Sequence, residues 1–264
     1  MIWATASGKG APGATTLAVL LAWCWPDRER RRVVIEADPE GGALAARGHD
    51  SSGLTHEPGL LSLAAARDGS TEARLHQHAQ ALGDGVELVA GPPGPAQAEA
   101  CLRALGEPAA SAIRRADVNA VVDCGRLHPS SPALPWACAA ERTLIVVRPR
   151  LDEIVALRPL AERLAAVGVE LGLVCVGDRP FDPVEVADEA GLPLLGVVPD
   201  EPAAAVAVTQ CGLGDRRLRR TGLVRAVGRL AATLAAEAQA EAVPATSETA
   251  VPTVTRIEAA GAHA

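Results

Sequence analysis

Aromatic residues are nearly missing from this chain: its 264 residues include no tyrosine, one phenylalanine (Phe181) and four tryptophans. Without stacking side chains, a platform for the bases of a single nucleic-acid strand is excluded. The core is left to Ala, Val and Leu. Cysteine pairs are missing too. The six cysteines (Cys24, Cys101, Cys124, Cys138, Cys175, Cys211) are scattered, and none forms a C-x-x-C pair. That spacing suits buried reduced thiols rather than a metal site. Long apolar runs are absent: the stretch from Leu17 to Pro26 is too short to span a bilayer. No charged-then-apolar leader with a cleavage site is visible, so a cytoplasmic protein is expected. A net charge of −7 argues against coating nucleic acid with the whole surface and leaves room only for a local basic patch.

The scarcest basic residue is lysine. Lys9 is the only one in the chain, every other basic side chain being arginine or histidine. Lysine is a compact point charge that reaches into a phosphate cradle, whereas arginine is a planar fork. The position of Lys9, inside a glycine-rich loop, therefore motivates a role for it.

What is present is a regular alternation. Short apolar runs, 2–6, 33–37, 86–90, 119–124, 143–148, 171–177 and 194–198, read as strands. Between them lie helix-length Ala/Leu/Arg segments, among them Thr15–Trp23 and Leu151–Val167. Several runs are apolar throughout, as expected of strands covered on both faces. The pattern predicts an α/β fold: a doubly wound, mainly parallel sheet of about seven strands with helices on both faces. Ligands of such sheets bind at the carboxyl ends of the strands. No repeat or boundary interrupts residues 1–242, which read as one nucleotide-binding domain. The remainder, 243–264, is rich in Ala, Thr and Pro without periodicity and is expected to be a disordered tail.

The stretch "ATASGKGAPGATTLAVLL" admits two readings. Gly8-x-Gly10-x-x-Gly13 fits a dinucleotide fingerprint, with Glu36 about twenty residues on as the ribose acid. Gly8-x-x-x-x-Gly13-Ala14-Thr15 fits a phosphate loop whose lysine has become alanine. Three features weigh toward the phosphate loop. Thr15 and Thr16 open the helix, where a hydroxyl ligates phosphate-bound Mg2+. Asp123 ends an apolar strand, as a Walker B carboxylate does. Asp38 supplies a second acid that a ribose does not need.

The array resembles the ParA/MinD group of P-loop ATPases, whose deviant Walker motif K-G-G-x-G-K-[ST]-T falls here on Lys9-Gly10-Ala11-Pro12-Gly13-Ala14-Thr15-Thr16. "VVIEADPEGG" is similar to the family's D-x-D-P-x-G segment, with Glu36 for its first aspartate. "AVVDCGR" resembles its Walker B strand, and "LLGVVPDEPAAAVA" its late G-x-I-P strand. The likeness covers about residues 1–235.

The resemblance implies ATP and Mg2+ as cofactors. Gly8, Lys9, Gly10, Ala11, Gly13, Ala14, Thr15 and Thr16 would cradle the phosphates, and Thr15 and Asp123 would hold the metal. Lys9 would act as the deviant lysine and Asp38 would orient the attacking water. A homodimer that sandwiches nucleotide and engages a cargo or regulatory protein is implied as well.

Ala14 departs from the pattern: it removes a charged phosphate contact worth about 1.5–3 kcal/mol in binding, and more in a transition state that depends on electrostatics. Weak or absent hydrolysis with retained binding is the expectation. Asp178, in Gly177-Asp178-Arg179-Pro180, stands where the family places an asparagine for adenine, so the choice between adenine and guanine stays open.

Arg216, Arg217, Arg219, Arg220, Arg225 and Arg229 fall within two or three expected helical turns. They form either a solvated face or a nonspecific DNA contact through phosphates. No basic amphipathic helix ends the chain, so no direct membrane anchor is expected. The leading reading is a nucleotide-dependent switch that positions a cargo such as a chromosome, a division site or a pilus or secretion apparatus. Its rival is a nucleotide-insensitive scaffold, favoured by Ala14 and Glu36.

Overall fold

The computed structural model describes residues 1–10, 12–47, 53–66, 71–210 and 213–242. Ala11, Cys211 and the tail expected over 243–264 lie outside the described residues. Eight strands form one sheet: β1 (Ile2–Ser7), β2 (Arg31–Glu36), β3 (Gln80–Gly83), β4 (Val86–Val89), β5 (Val118–Arg126), β6 (Thr143–Val147), β7 (Leu171–Val176) and β8 (Leu194–Val198). Their order is β3-β4-β2-β5-β1-β6-β7-β8. Every neighbouring pair is parallel except β3 with β4. The seven expected strands are all present. The eighth, β3, is a four-residue antiparallel edge strand of mixed burial.

Side-chain alternation sorts the strands into two cores. Ile2, Ala4, Val33, Ile35, Ala120 and Val122 enter one, while Trp3, Val34, Val121 and Leu144 enter the other. Because both alternating sets are apolar, both faces demand cover. One face is covered by α2 (Leu60–Ala65), α3 (Thr71–His78), α4 (Pro95–Arg115), α5 (Leu134–Ala139), α6 (Leu151–Ala165) and α7 (Pro183–Ala190). The other takes α1 (Ala14–Cys24), α8 (Pro202–Gln210) and α9 (Gly222–Ala242). Helix α1 lies against both the sheet and α9, and its residues Leu17 to Trp23 are all buried. A helix apolar all round is what such a position requires.

The core is not aliphatic alone. Trp23, Trp25 and Trp136 are among its largest fully buried side chains, and Trp3 packs against Trp25 with ring centroids 5.7 Å apart. Few aromatics are present, yet all four tryptophans serve the core.

The arginine-rich segment does not form the continuous helix expected of it. Arg216 and Arg217 lie on a turn, Leu218–Arg220 is a single 3-10 turn, and only Arg225 and Arg229 stand on α9. The break follows from local bonding. Thr221 Oγ1 accepts the Val224 amide at 3.3 Å, and Glu201 accepts the amides of Gly222 and Leu223 at 3.1 and 3.2 Å, so α9 begins there.

Candidate nucleotide site

The loop between β1 and α1 is built around Gly13, whose φ of 112° is left-handed backbone that side-chain-bearing residues rarely adopt. That turn lets the Leu17 amide donate to the Gly13 carbonyl at 2.9 Å, which starts the helix under the loop. A cavity of about 530 Å³ opens above it at the carboxyl end of the sheet, a size in the range of small-molecule sites. Gly10, Gly13, Ala14, Thr15, Thr16 and Asp38 line its loop side. Val198, Pro199, Val206 and Val227 give it an apolar wall between β8 and the α8/α9 layer.

Two strand ends meet beside Asp38, with Glu36 of β2 in register with Asp123 of β5, and neither is among the residues that line the cavity. Glu36 is buried, but its carboxylate is satisfied: Oε1 accepts the amides of Ala43 and Leu44, both at 2.8 Å, and Oε2 accepts that of Gly91 at 3.0 Å. Burial still raises its pKa against those three bonds. Buried, with three acceptor positions taken and no place in the cavity lining, Glu36 is not presented to a ribose, and that geometry opposes the dinucleotide reading.

Asp123 is equally buried and less well served. It accepts the Gly125 amide at 3.1 Å and the Thr15 hydroxyl. Burial, with the nearby charges of Asp38 and Glu36, pushes its pKa up to about 7 despite those two bonds. Asp38 sits beside it, its Oδ1 accepting the Glu40 amide at 2.9 Å, and burial raises its pKa as well. These clustered acids ask for a cation. Among the described residues no group of three or more His, Cys, Asp or Glu side chains is arranged to hold a metal alone. The linked Thr15 hydroxyl and Asp123 carboxylate instead suit Mg2+, which binds through one or two protein oxygens and takes the rest from phosphates and water.

The remaining expected residues divide. Thr15, Asp123 and Asp38 are brought together, with Gly10, Gly13, Ala14 and Thr16 beside them on the cavity. Lys9 is not among the residues lining the cavity: its Nζ lies 3.4 Å from Asp152 Oδ2 and 3.3 Å from the Asp152 carbonyl, at the start of α6, and the side chain is exposed. Gly8 backs onto Leu160 of the same helix. Asp178 lines an adjoining cavity of about 1000 Å³ with Gly177 and Arg179, which shares Arg148, Val198 and Pro199 with the first.

Two site residues escaped the sequence reading. Gly125, at φ 58°, lies where a Cβ would overlap the Asp38 carboxyl group, and Arg126 follows it into the cavity wall. The signal for both was their place directly after the Walker-like aspartate.

The arginines of the carboxyl-terminal segment are all exposed. Arg219 is committed to the fold: its guanidinium stacks 4.6 Å from the Trp23 ring centroid and pairs with Asp84, which also accepts the Trp23 indole at 2.6 Å. Among the described residues no helix is long and apolar enough to cross a membrane.

No family model matches the chain. Two curated relatives, uncharacterized proteins from two strains of Mycobacterium tuberculosis, are 29% identical over 236 residues. The match covers 86% of this chain and 61% of theirs, so the chain spans less than two thirds of their length. Among solved structures, the Pyrococcus horikoshii septum site-determining protein MinD, complexed with Mg-ADP, superposes with a TM-score of 0.71 at 16% identity, over 91% of this chain and 98% of its own. A ParA family ATPase of Chlorobium tepidum gives 0.70 at 16%, over 88% and 98%. Cobyrinic acid a,c-diamide synthase of Mycobacterium smegmatis, with an ATP analog and magnesium bound, gives 0.64 at 18%, over 91% and 96%. At such identities it is the architecture that is shared, and the chain carries the fold of the MinD/ParA P-loop ATPases.

Proposed function

We propose that this protein is a nucleotide-dependent switch of the ParA/MinD type. Residues 1–242 form its nucleotide-binding domain, which binds ATP with Mg2+, dimerises around the nucleotide and positions a cargo for division, partition or a surface apparatus. The observation that carries this reading is the bond between the buried Asp123 carboxylate and the hydroxyl of Thr15, which itself lines the cavity. That pair holds the ion, the amides around Gly13 and the amino end of α1 receive the phosphates, and the apolar wall receives the base. Mg2+, when bound, supplies the charge that offsets the phosphates and the acids together. The fold shared with a MinD that holds Mg-ADP supports the same assignment.

Asp38, beside the metal site, is the residue to orient water. Ala14 offers no charge to the transferring phosphate, so binding is retained and hydrolysis is slow or absent. Lys9, resting against Asp152, acts at the dimer face rather than inside its own cavity. The basic residues Arg216, Arg217, Arg220, Arg225 and Arg229 form the surface to test for DNA.

A second reading, a scaffold that ignores nucleotide, is favoured by Ala14 together with the pairing of Lys9 with Asp152 outside the cavity lining. Calorimetric titration with ATP, ADP, GTP and NAD, with and without Mg2+, separates the two. Tight Mg2+-dependent ATP binding is the expected result. Silence toward every nucleotide supports the scaffold, and NAD binding overturns both readings. Ala14→Lys is expected to gain turnover, and Lys9→Ala to lose ATP-dependent dimerisation.

A further inference from the structure

Ala14 leaves the loop without its cation, and Lys9 is held elsewhere, so the source of positive charge at the phosphates has to be sought in the rest of the cavity. Three basic residues line it: Arg47, Arg126 and Arg148. Arg148 is engaged with Asp200, Nε to Oδ2 3.6 Å, beyond the end of β8. Arg47 lies past β2, two strands away from β1 in the sheet. Arg126 ends β5, the strand directly beside β1, three residues after Asp123.

Strand alternation alone would turn Arg126 away from the site, because side chains at 123 and 126 belong on opposite faces. The register corrects this. Thr5 faces Asp123 and Ser7 faces Arg126, so three steps on β5 match two on β1, and β5 carries one extra residue. Such a bulge re-aims the side chain that follows it. It returns Arg126 to the side of Asp123, and Arg126 lines the cavity together with the loop residues. Gly125 makes the bulge possible, since its φ of 58° and the adjacent Asp38 carboxyl leave no place for a Cβ. The Arg126 side chain is exposed, has no ion-pair partner among the described residues, and its charge acts on Asp38.

We propose that Arg126 is the phosphate-binding cation of this site, supplying from the end of β5 the charge that Ala14 does not supply from the loop. The ligand class is a nucleoside polyphosphate, and the inference rests on the nucleotide reading above. A planar guanidinium suits the task, because it engages phosphate oxygens with two parallel donors.

The test is calorimetric titration of Mg-ATP into the full chain, wild type and variants. Arg126→Gln is expected to weaken binding about ten- to hundredfold, the loss of a charge-assisted contact. Arg126→Lys should recover part of it. Adding Ala14→Lys to Arg126→Gln should restore most of the affinity, which a merely structural role for Arg126 would not allow. Equal Mg-ATP affinity of Arg126→Gln and wild type overturns the inference. So does a loss that Ala14→Lys leaves untouched. A wild type that binds no nucleotide overturns the nucleotide reading itself, which keeps the two failures distinct.

Discussion

The ends of β2 and β5 are neighbours in register, and each presents a buried carboxylate to the same region. Glu36 receives three backbone amides; Asp123 receives one amide and one hydroxyl. The first uses its acceptors to tie the segment after β2 to Gly91 at the end of β4, and holds the fold in shape. The second is left short of donors, with its pKa near 7, and its one hydroxyl partner is the residue that opens the loop helix. Two acids of the same burial thus have different work, and the count of donors separates them. A carboxylate bonded to three backbone amides is a part of the scaffold. An underbonded one, tied to a hydroxyl that lines a cavity, is the one to test for a cation.

The largest effect should come from Glu36. Glu36→Ala orphans two buried amides and one half-buried amide, the buried ones at about 1–3 kcal/mol each, so a loss of roughly 2 kcal/mol or more is expected in urea unfolding. Glu36→Gln keeps one acceptor and should lose less. A change within about 0.5 kcal/mol for the alanine variant would show the acid to be no scaffold at all.

Asp123 should respond in the opposite sense. Its folded pKa stands above the ordinary aspartate value, so between about pH 4 and pH 7 the folded state holds a proton that the unfolded state has released. Stability of the metal-free protein therefore falls as pH rises through that window, by up to about 4 kcal/mol at neutral pH. Asp123→Asn should lessen the slope, leaving the part that Glu36 and Asp38 contribute through their own raised pKa values, raise the melting temperature in chelator at pH 8, and abolish Mg2+-dependent nucleotide binding. An Asp123→Asn variant whose melting temperature falls with pH as steeply as the wild type's would erase the contrast with Glu36.

These roles were unevenly legible in the sequence. The seven strands could be read because each is an apolar run whose alternate residues are all needed, Ile2 and Ala4 on one face and Trp3 on the other. Strand β3 could not: it is short, lies at the edge, and mixes Gln80 with Leu82, so no period marks it. Asp123 and Thr15 were visible as strand-end and helix-start residues and do meet. The commitment of Glu36 was hidden, since its partners are backbone groups and one of them, Gly91, lies 55 residues away. The direction of Lys9 depends on Asp152, 143 residues along the chain. The place of Arg126 depends on a bulge, a property of the pairing of two strands and of neither alone.

Between the two acids sits Asp38, and Gly125 gives it space. Gly125→Ala would put a methyl group into the Asp38 carboxyl and force L-residue backbone into the left-handed region, costing about 1–2 kcal/mol from the backbone alone. The larger consequence is local. Asp38 must move, so Mg-ATP affinity should drop while circular dichroism stays that of the native fold. An alanine variant with native affinity would mean that the position of Asp38 does not matter to the site.

The smallest effect extends the same contrast to cations. Arg219 is the carboxyl-terminal arginine committed to the fold, stacked on Trp23 and paired with Asp84, and it fastens the 3-10 turn over α1 and the β3–β4 hairpin. A half-exposed contact of this kind contributes about 0.5–1 kcal/mol. Arg219→Ala should lower stability by that amount in thermal or urea unfolding and leave salt-sensitive DNA retention unchanged. Arg225 and Arg229, exposed on α9, should do the reverse: their alanine variants shift stability by less than about 0.5 kcal/mol, and weaken any DNA retention along with its salt dependence. If Arg219→Ala also proves neutral, stacking on Trp23 does not hold the turn. The six arginines then act as one solvated face, and a bonded cation could no longer be told from a free one at this end of the molecule.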